Sequence, residues 1–222
     1  MRMRAKKWVK PELAACPYFI DDPENYRGRW AARFSRPAPI YLEIGCGKGV
    51  STGRMAFDHP EINLLSVDVA TIILGVARRN IQAVYGQQPV ENLLLTHFDA
   101  FWLDRFIAPE DRVDRIILSF CNPWSQRANQ FKRRLTHPHQ LLQYRQILTP
   151  GGEIHFKTDD DGLFSASREY FKACGFEEAY VTPDLHASGY APNYVTEHEQ
   201  LFAAQGVPIK FLIARMGELP TA

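Results

Sequence analysis

The strongest constraint on this chain is an alternation of short apolar runs with helix-like stretches, beginning at residue 40. Strand-length apolar runs occupy residues 40–44, 63–67, 93–97, 115–120 and 153–157. Between them, residues 51–59, 71–85, 138–148 and 163–174 show helical character. A strand followed by a helix returns to the sheet parallel to its predecessor, and a parallel sheet needs cover on both faces. The alternation therefore predicts a doubly wound, mostly parallel α/β sheet. Two later strand candidates, 179–182 and 209–214, flank a helix-like 197–205 and read as a hairpin-like addition, giving seven strands. Residues 1–36 hold several prolines and little apolar period, and read as a basic extension before a domain spanning 37–222.

Composition removes several classes. At 222 residues, 45% hydrophobic and 23% charged, the chain suits one globular domain. No apolar run approaches the roughly 20 residues that span a bilayer. The basic N-terminus lacks the apolar block of a secretory signal. Cys16, Cys46, Cys121 and Cys174 show no CxxC spacing, which argues against a zinc site or a disulfide framework and fits a reducing cytoplasm. Net charge is +1, so the total is silent about nucleic acid. The distribution is not. Residues 1–10 carry Arg2, Arg4, Lys6, Lys7 and Lys10 without an acid, and residues 115–152 carry Arg115, Arg127, Lys132, Arg133, Arg134 and Arg145 without one. Such stretches predict local phosphate-binding surfaces.

The first motif is Tyr41-Leu-Glu43-Ile-Gly45-Cys-Gly47-Lys-Gly49, directly after the first strand and opening a helix. Glycines there let the backbone turn sharply and approach a ligand. Ligands of open α/β sheets bind at the carboxyl ends of strands. Asp68 closes the second strand, where a carboxylate can accept from both hydroxyls of a ribose. Asp99 terminates the third strand, where a carboxylate can meet an adenine amino group. A dinucleotide enzyme is the competing reading, but its GxGxxG fingerprint differs from the GxGxG here. Glu43, two residues before the first glycine, would repel a pyrophosphate and suits a ligand bearing an ammonium group. Electrostatics thus favour S-adenosylmethionine over NAD. Packing alone does not explain three acids at three successive strand ends.

The second motif is Ser119-Phe120-Cys121-Asn122-Pro123-Trp124 at the end of the fourth strand, followed by Gln126, Arg127 and the run Lys132-Arg133-Arg134. Proline fixes such a turn, an aromatic ring can stack on a base, and the cations can hold its phosphates. Trp124 alone would read as core. Thr196-Glu197-His198-Glu199-Gln200, read by itself, is an N-capped surface helix with Thr at the cap and Glu at its third position.

Taken together, these pieces resemble the bacterial tRNA (guanine-N7)-methyltransferase family over nearly the whole chain. The resemblance rests on the MRMR opening with its K-x-W, the EIGCGKG turn, PW with KRRL, Gly152-Glu-Ile-His-Phe-Lys-Thr-Asp159, and TEHEQ. It implies a Rossmann-like fold and methyl transfer from S-adenosylmethionine to N7 of a guanine in tRNA. It implies that Glu43, Gly45, Gly47, Asp68, Asp99 and Asn122 meet the cofactor, with Asn122 also at the catalytic position. It implies that Asp159, Thr196, Glu197, His198 and Glu199 meet the target guanine, and that Gln126, Arg127, Lys132, Arg133 and Arg134 meet RNA. No metal is implied, and monomer and homodimer are both left open.

The turn departs from the family pattern. Asn122 replaces an Asp, Gln126 replaces a Lys, a His is missing, and one extra residue precedes Lys132. Guanine N7 has a lone pair at neutral pH, so no proton need leave before it attacks, and positioning supplies most of the rate. Replacing a charged acceptor by a neutral one costs about 1–2 kcal/mol. A slowed enzyme is one reading. A relative that binds S-adenosylmethionine or RNA but has lost or changed its reaction is the other.

Overall fold

The computed structural model describes residues 6–220. Arg2 and Arg4, named above for phosphate binding, lie outside the described residues, as does the MRMR opening. The chain forms two compact units, Met1–Asp111 and Arg112–Ala222.

The first unit has four parallel strands: β1 (Phe19–Ile20), β2 (Ile40–Ile44), β3 (Asn63–Asp68) and β4 (Leu93–His97), in the order β1-β4-β3-β2. Leu64, Leu65, Val67, Leu93 and Leu95 are all essentially inaccessible. Near-continuous burial along a strand is the signature of a parallel sheet covered on both faces. Helices α1 (Val9–Ala14), α2 (Val50–Asp58) and α3 (Thr71–Tyr85) belong to this unit. Helix α3 buries Leu74, Ala77, Ile81 and Tyr85, a stripe at three- and four-residue spacing. Buried polar groups tie the irregular segments down. The Asp111 carboxylate is 3% exposed and accepts from the backbone N–H of Gly28, Trp30 and Ala108 at 2.8, 2.9 and 2.8 Å. Trp30, fully buried, donates its indole N–H to the Phe106 carbonyl at 2.9 Å.

The second unit has β5 (Val113–Ser119), β6 (Leu148–Thr158), β7 (Phe176–Thr182) and β8 (Lys210–Met216), in the order β5-β6-β8-β7. β5 and β6 are parallel, and β8 runs antiparallel to both β6 and β7. Helices α4 (Pro138–Ile147) and α5 (Asp161–Ala173) accompany a core of Ile116, Leu118, Leu141, Tyr144, Ile154, Phe156, Leu163 and Phe171. A separate apolar cluster of Leu185, Ile209, Phe211 and Ile213 sits with Phe120, Tyr180, Tyr190 and Phe202, beside α6 (Glu197–Ala204).

All seven expected strands form, and the late pair is indeed antiparallel. Among the described residues the count is eight rather than seven because β1 adds a strand to β4. Its two residues are too few to show a period-two pattern in the sequence. Among the described residues no helix is long and apolar enough to cross a membrane.

Candidate functional site

In the first unit, the turn between β2 and α2 is built on glycines with positive φ: Gly45 at +86°, Gly47 at +55° and Gly49 at +70°. Gly49 begins α2 where the helix meets α3, and a Cβ there would lie 2.8 Å from the Ala77 Cβ. Over Gly45 and Gly47 a Cβ would meet nothing within 4 Å, so the turn leaves open room above it. Gly45 and Cys46 donate their N–H groups to the Val67 carbonyl at 2.8 and 3.0 Å, fastening the turn to the end of β3.

Carboxylates flank this turn. Glu43 is 4% exposed, and its Oε2 accepts from Thr52 Oγ1 at 2.7 Å and Ser66 Oγ at 2.9 Å. Asp68 ends β3, accepting from Gly47 N–H at 3.1 Å and Ala70 N–H at 2.9 Å. Burial raises the Asp68 pKa, and those two N–H groups and His97 offset only part of the rise. The Cys46 thiol is pushed far up by burial and then by the Glu43 and Asp68 charges, which leaves it inert. Asp99 lies two residues beyond β4 rather than at its last residue; it is exposed and caps the short 3₁₀ helix Ala100–Arg105 through Phe101 N–H at 2.9 Å. Two exposed apolar side chains that the sequence reading passed over, Val69 at 65% and Trp102 at 48%, follow these acids.

In the second unit, the chain leaving β5 is strained. Phe120 and Trp124 adopt φ of +53° and +47°, a region costly for bulky side chains. Between them the Asn122 side-chain oxygen accepts from Trp124 N–H at 2.9 Å, an Asx-type turn. Asn122, Gln126, Arg127, Lys132 and Arg133 are exposed. Arg134 is not. It is 5% exposed, donates from Nε to the Pro123 carbonyl at 2.8 Å, and lies 4.0 Å from the centre of the Phe131 ring. Arg133 sits 5.1 Å over the Trp124 ring. The basic run therefore splits into cations that face out and one that clasps the turn. Burial lifts the Cys121 thiol to about 12.

Asp159 is half-buried just past β6, and its carbonyl accepts from Lys210 Nζ at 2.9 Å. Thr196 caps α6 in a full capping box with Glu199. Glu197 and His198 are exposed, and the His198 ring stacks near Phe120 with centroids 6.2 Å apart. Glu199 is fully enclosed, accepting from Asn193 Nδ2 at 2.6 Å, His186 Nε2 at 2.8 Å and Lys157 Nζ at 3.2 Å. Burial of this carboxylate works against ionisation, but Lys157 and the hydrogen bonds from Asn193 and His186 win, and its pKa is lowered. Lys157, His186 and Asn193 were not legible as functional; Lys157 carried a signal only through its place in HFKTD.

The family model described as "Putative methyltransferase" matches residues 37–212. A tRNA (guanine-N(7)-)-methyltransferase of Clostridium perfringens (strain SM101 / Type A) is 48% identical over 218 residues, covering 97% of this chain and 99% of that one. The chain belongs to the tRNA (guanine-N(7)-)-methyltransferase family. A second member, from Ruminiclostridium cellulolyticum, is 45% identical and covers 96% of this chain and 92% of its own. Solved structures share the fold with this family member at lower identity. A methyltransferase from Pyrococcus furiosus matches with TM-score 0.56 and 17% identity, covering 85% of this chain and 80% of that one. The [4+2]-cyclase SpnF matches with TM-score 0.55 and 17% identity over 94% and 92% of the two chains. These confirm the Rossmann-like methyltransferase fold. A cyclase among them makes clear that the fold alone does not fix the reaction.

Proposed function

We propose that this protein transfers a methyl group from S-adenosylmethionine to N7 of a guanine in tRNA, in the cytoplasm. The observation that carries the reading is the turn of residues 45–49: open above Gly45 and Gly47, and bordered by the carboxylates of Glu43 and Asp68. A negative border suits an ammonium-bearing ligand and would repel a pyrophosphate. Glu43 and Gly45 would hold the amino-acid end of the cofactor, Asp68 the ribose, Val69 a face of the adenine, and Asp99 its amino group. The cofactor would supply a sulfonium-activated methyl group, and S-adenosylhomocysteine would remain.

The chain's own residues do the rest. Asn122, fixed by its bond to Trp124 N–H, would stand at the catalytic position and orient the guanine. Asp159 and Glu197 are natural acceptors for the N1–H and N2–H₂ edge of that base. Lys132, Arg133, Arg127 and Gln126 face outward and would contact RNA backbone, which carries no sequence information but sets register. Incubation with labelled methyl donor and unmodified tRNA should yield 7-methylguanosine. Its absence, with the cofactor still bound, would overturn this reading. It would favour the second one, a family member that binds cofactor or RNA without this reaction. The observation behind that alternative is the neutral Asn122 in place of an acid.

A further inference from the structure

We propose that Lys157 and Glu199 are a buried positioning pair, and that Glu199 does not touch the target base. The pair fixes the segment 184–198 and so sets where Glu197, His198 and Asp159 stand; its catalytic consequence rests on the methyl-transfer reading above. Glu199 is fully enclosed and Lys157 is 13% exposed on its side chain. A charge withdrawn from water is costly unless paired and hydrogen-bonded, and both groups here are. Lys157 Nζ donates to Glu199 Oε2 at 3.2 Å, to the Tyr194 carbonyl at 3.1 Å and to Asn193 Oδ1. The other oxygen, Glu199 Oε1, accepts from Asn193 and His186. Glu199 Oε2 also accepts from Thr196 N–H at 3.4 Å, while Glu199 N–H donates to Thr196 Oγ1 at 3.1 Å.

Helix capping alone does not call for this arrangement. A capping box needs one oxygen at the third helical position, and a Gln supplies it. The carboxylate instead collects donors from three places: the end of β6, the loop at 186–193, and the start of α6. Lys157 directly precedes Thr158-Asp159, so the pair joins the strand that leads into Asp159 to the helix end presenting Glu197 and His198. His198 in turn lies over Phe120, the strained residue that leads into the Asn122 turn. With both its oxygens engaged by its own chain, Glu199 acts from behind, and the resemblance-derived stretch Thr196–Glu199 divides into presenting residues and an anchoring one.

The test uses the full chain with Lys157→Met, Glu199→Gln, the double variant, and His186→Gln at the half-exposed rim. Hydrogen exchange read by mass spectrometry should rise across 184–198 in each single variant and stay unchanged across 161–176. Single-turnover methyl transfer to tRNA should slow about 10- to 100-fold in Lys157→Met and Glu199→Gln, because misplacement rather than lost binding is the defect. Affinity for S-adenosylmethionine should be unaltered. The double variant should be no slower than the slower single, as for two members of one unit. If Glu199→Gln slows transfer with exchange unchanged, and its effect multiplies with that of Lys157→Met, Glu199 contacts the base and the proposal falls. Should Lys157→Met fail to fold, Glu199→Gln and His186→Gln decide it by exchange. A wild-type protein inactive on tRNA would overturn the methyl-transfer reading only; unchanged exchange at 184–198 would still overturn the pair.

Discussion

At the residue scale, three carboxyl or amide side chains carry unlike tasks. Asp111 holds three backbone N–H groups in the dry interior of the first unit. Leucine there would leave all three unpaired, and the loss in urea-unfolding free energy should be about 3 kcal/mol or more. Asp68 has the opposite character: its raised pKa means it takes up a proton at higher pH than an ordinary carboxylate. A pKa raised on folding adds stability below the unfolded value and removes it as pH rises, so ionised Asp68 stands at a cost to the fold. If the ionised form holds the ribose, affinity for the methyl donor should decline as pH falls through that raised value. Calorimetry across pH should show the decline in the native protein, and Asp68→Asn should bind weakly with a flat profile. Asn122 tests the chemistry. If Asn122 stands beside the guanine as proposed, Asn122→Asp adds charge without volume next to a base that becomes cationic, worth about 1–2 kcal/mol, or 5- to 30-fold in rate. Single-turnover kinetics should register the gain with little change in cofactor affinity. An equally silent pair of proteins would leave only the binding reading.

At the element scale, the turn of residues 120–134 shows what was legible and what was not. Its place at a strand end followed from apolar periodicity, and its basic content from composition. The sequence could not reveal that Arg134 folds back on Phe131 and the Pro123 carbonyl while Lys132 and Arg133 face out. Three adjacent cations look alike until the backbone that winds beneath them is known. The same limit hid Glu199: its capping role is local and was readable, whereas its bond to Lys157 spans two distant segments. Parallel strands such as β3 and β4 were readable because each has a short apolar run, Leu64-Leu65 or Leu93-Leu94-Leu95, at positions buried on both faces. The split among the cations has a measurable result. Lys132→Ala with Arg133→Ala should weaken tRNA binding and flatten its dependence on salt, since fewer counterions are released. Arg134→Gln should leave the salt slope alone and lower the transfer rate and thermal stability. Equal salt slopes for both variants would refute the division.

At the scale of the whole molecule, a ligand that binds only the folded chain stabilises it by mass action. S-adenosylmethionine at about 100 times its Kd should add about 2.7 kcal/mol. For a chain of this length that raises Tm by about 5–10 °C. A thermal-shift experiment in which NAD gives the shift and the methyl donor gives none would reverse the assignment of the glycine turn. The strand order of the second unit bears on how the chain is made. All four strands of the first unit come from residues 19–97 and can pair as they leave the ribosome. In the second unit β7 pairs with β8 alone among the described residues, and residues 183–209 must be synthesised before that partner exists. During this interval β6 and β7 each present an open edge, the kind of surface that recruits foreign strands. Translation that stalls in that window, or a stop codon anywhere within it, should yield a nascent chain dependent on chaperones and prone to aggregate, even though every residue proposed to touch the methyl donor has already been made.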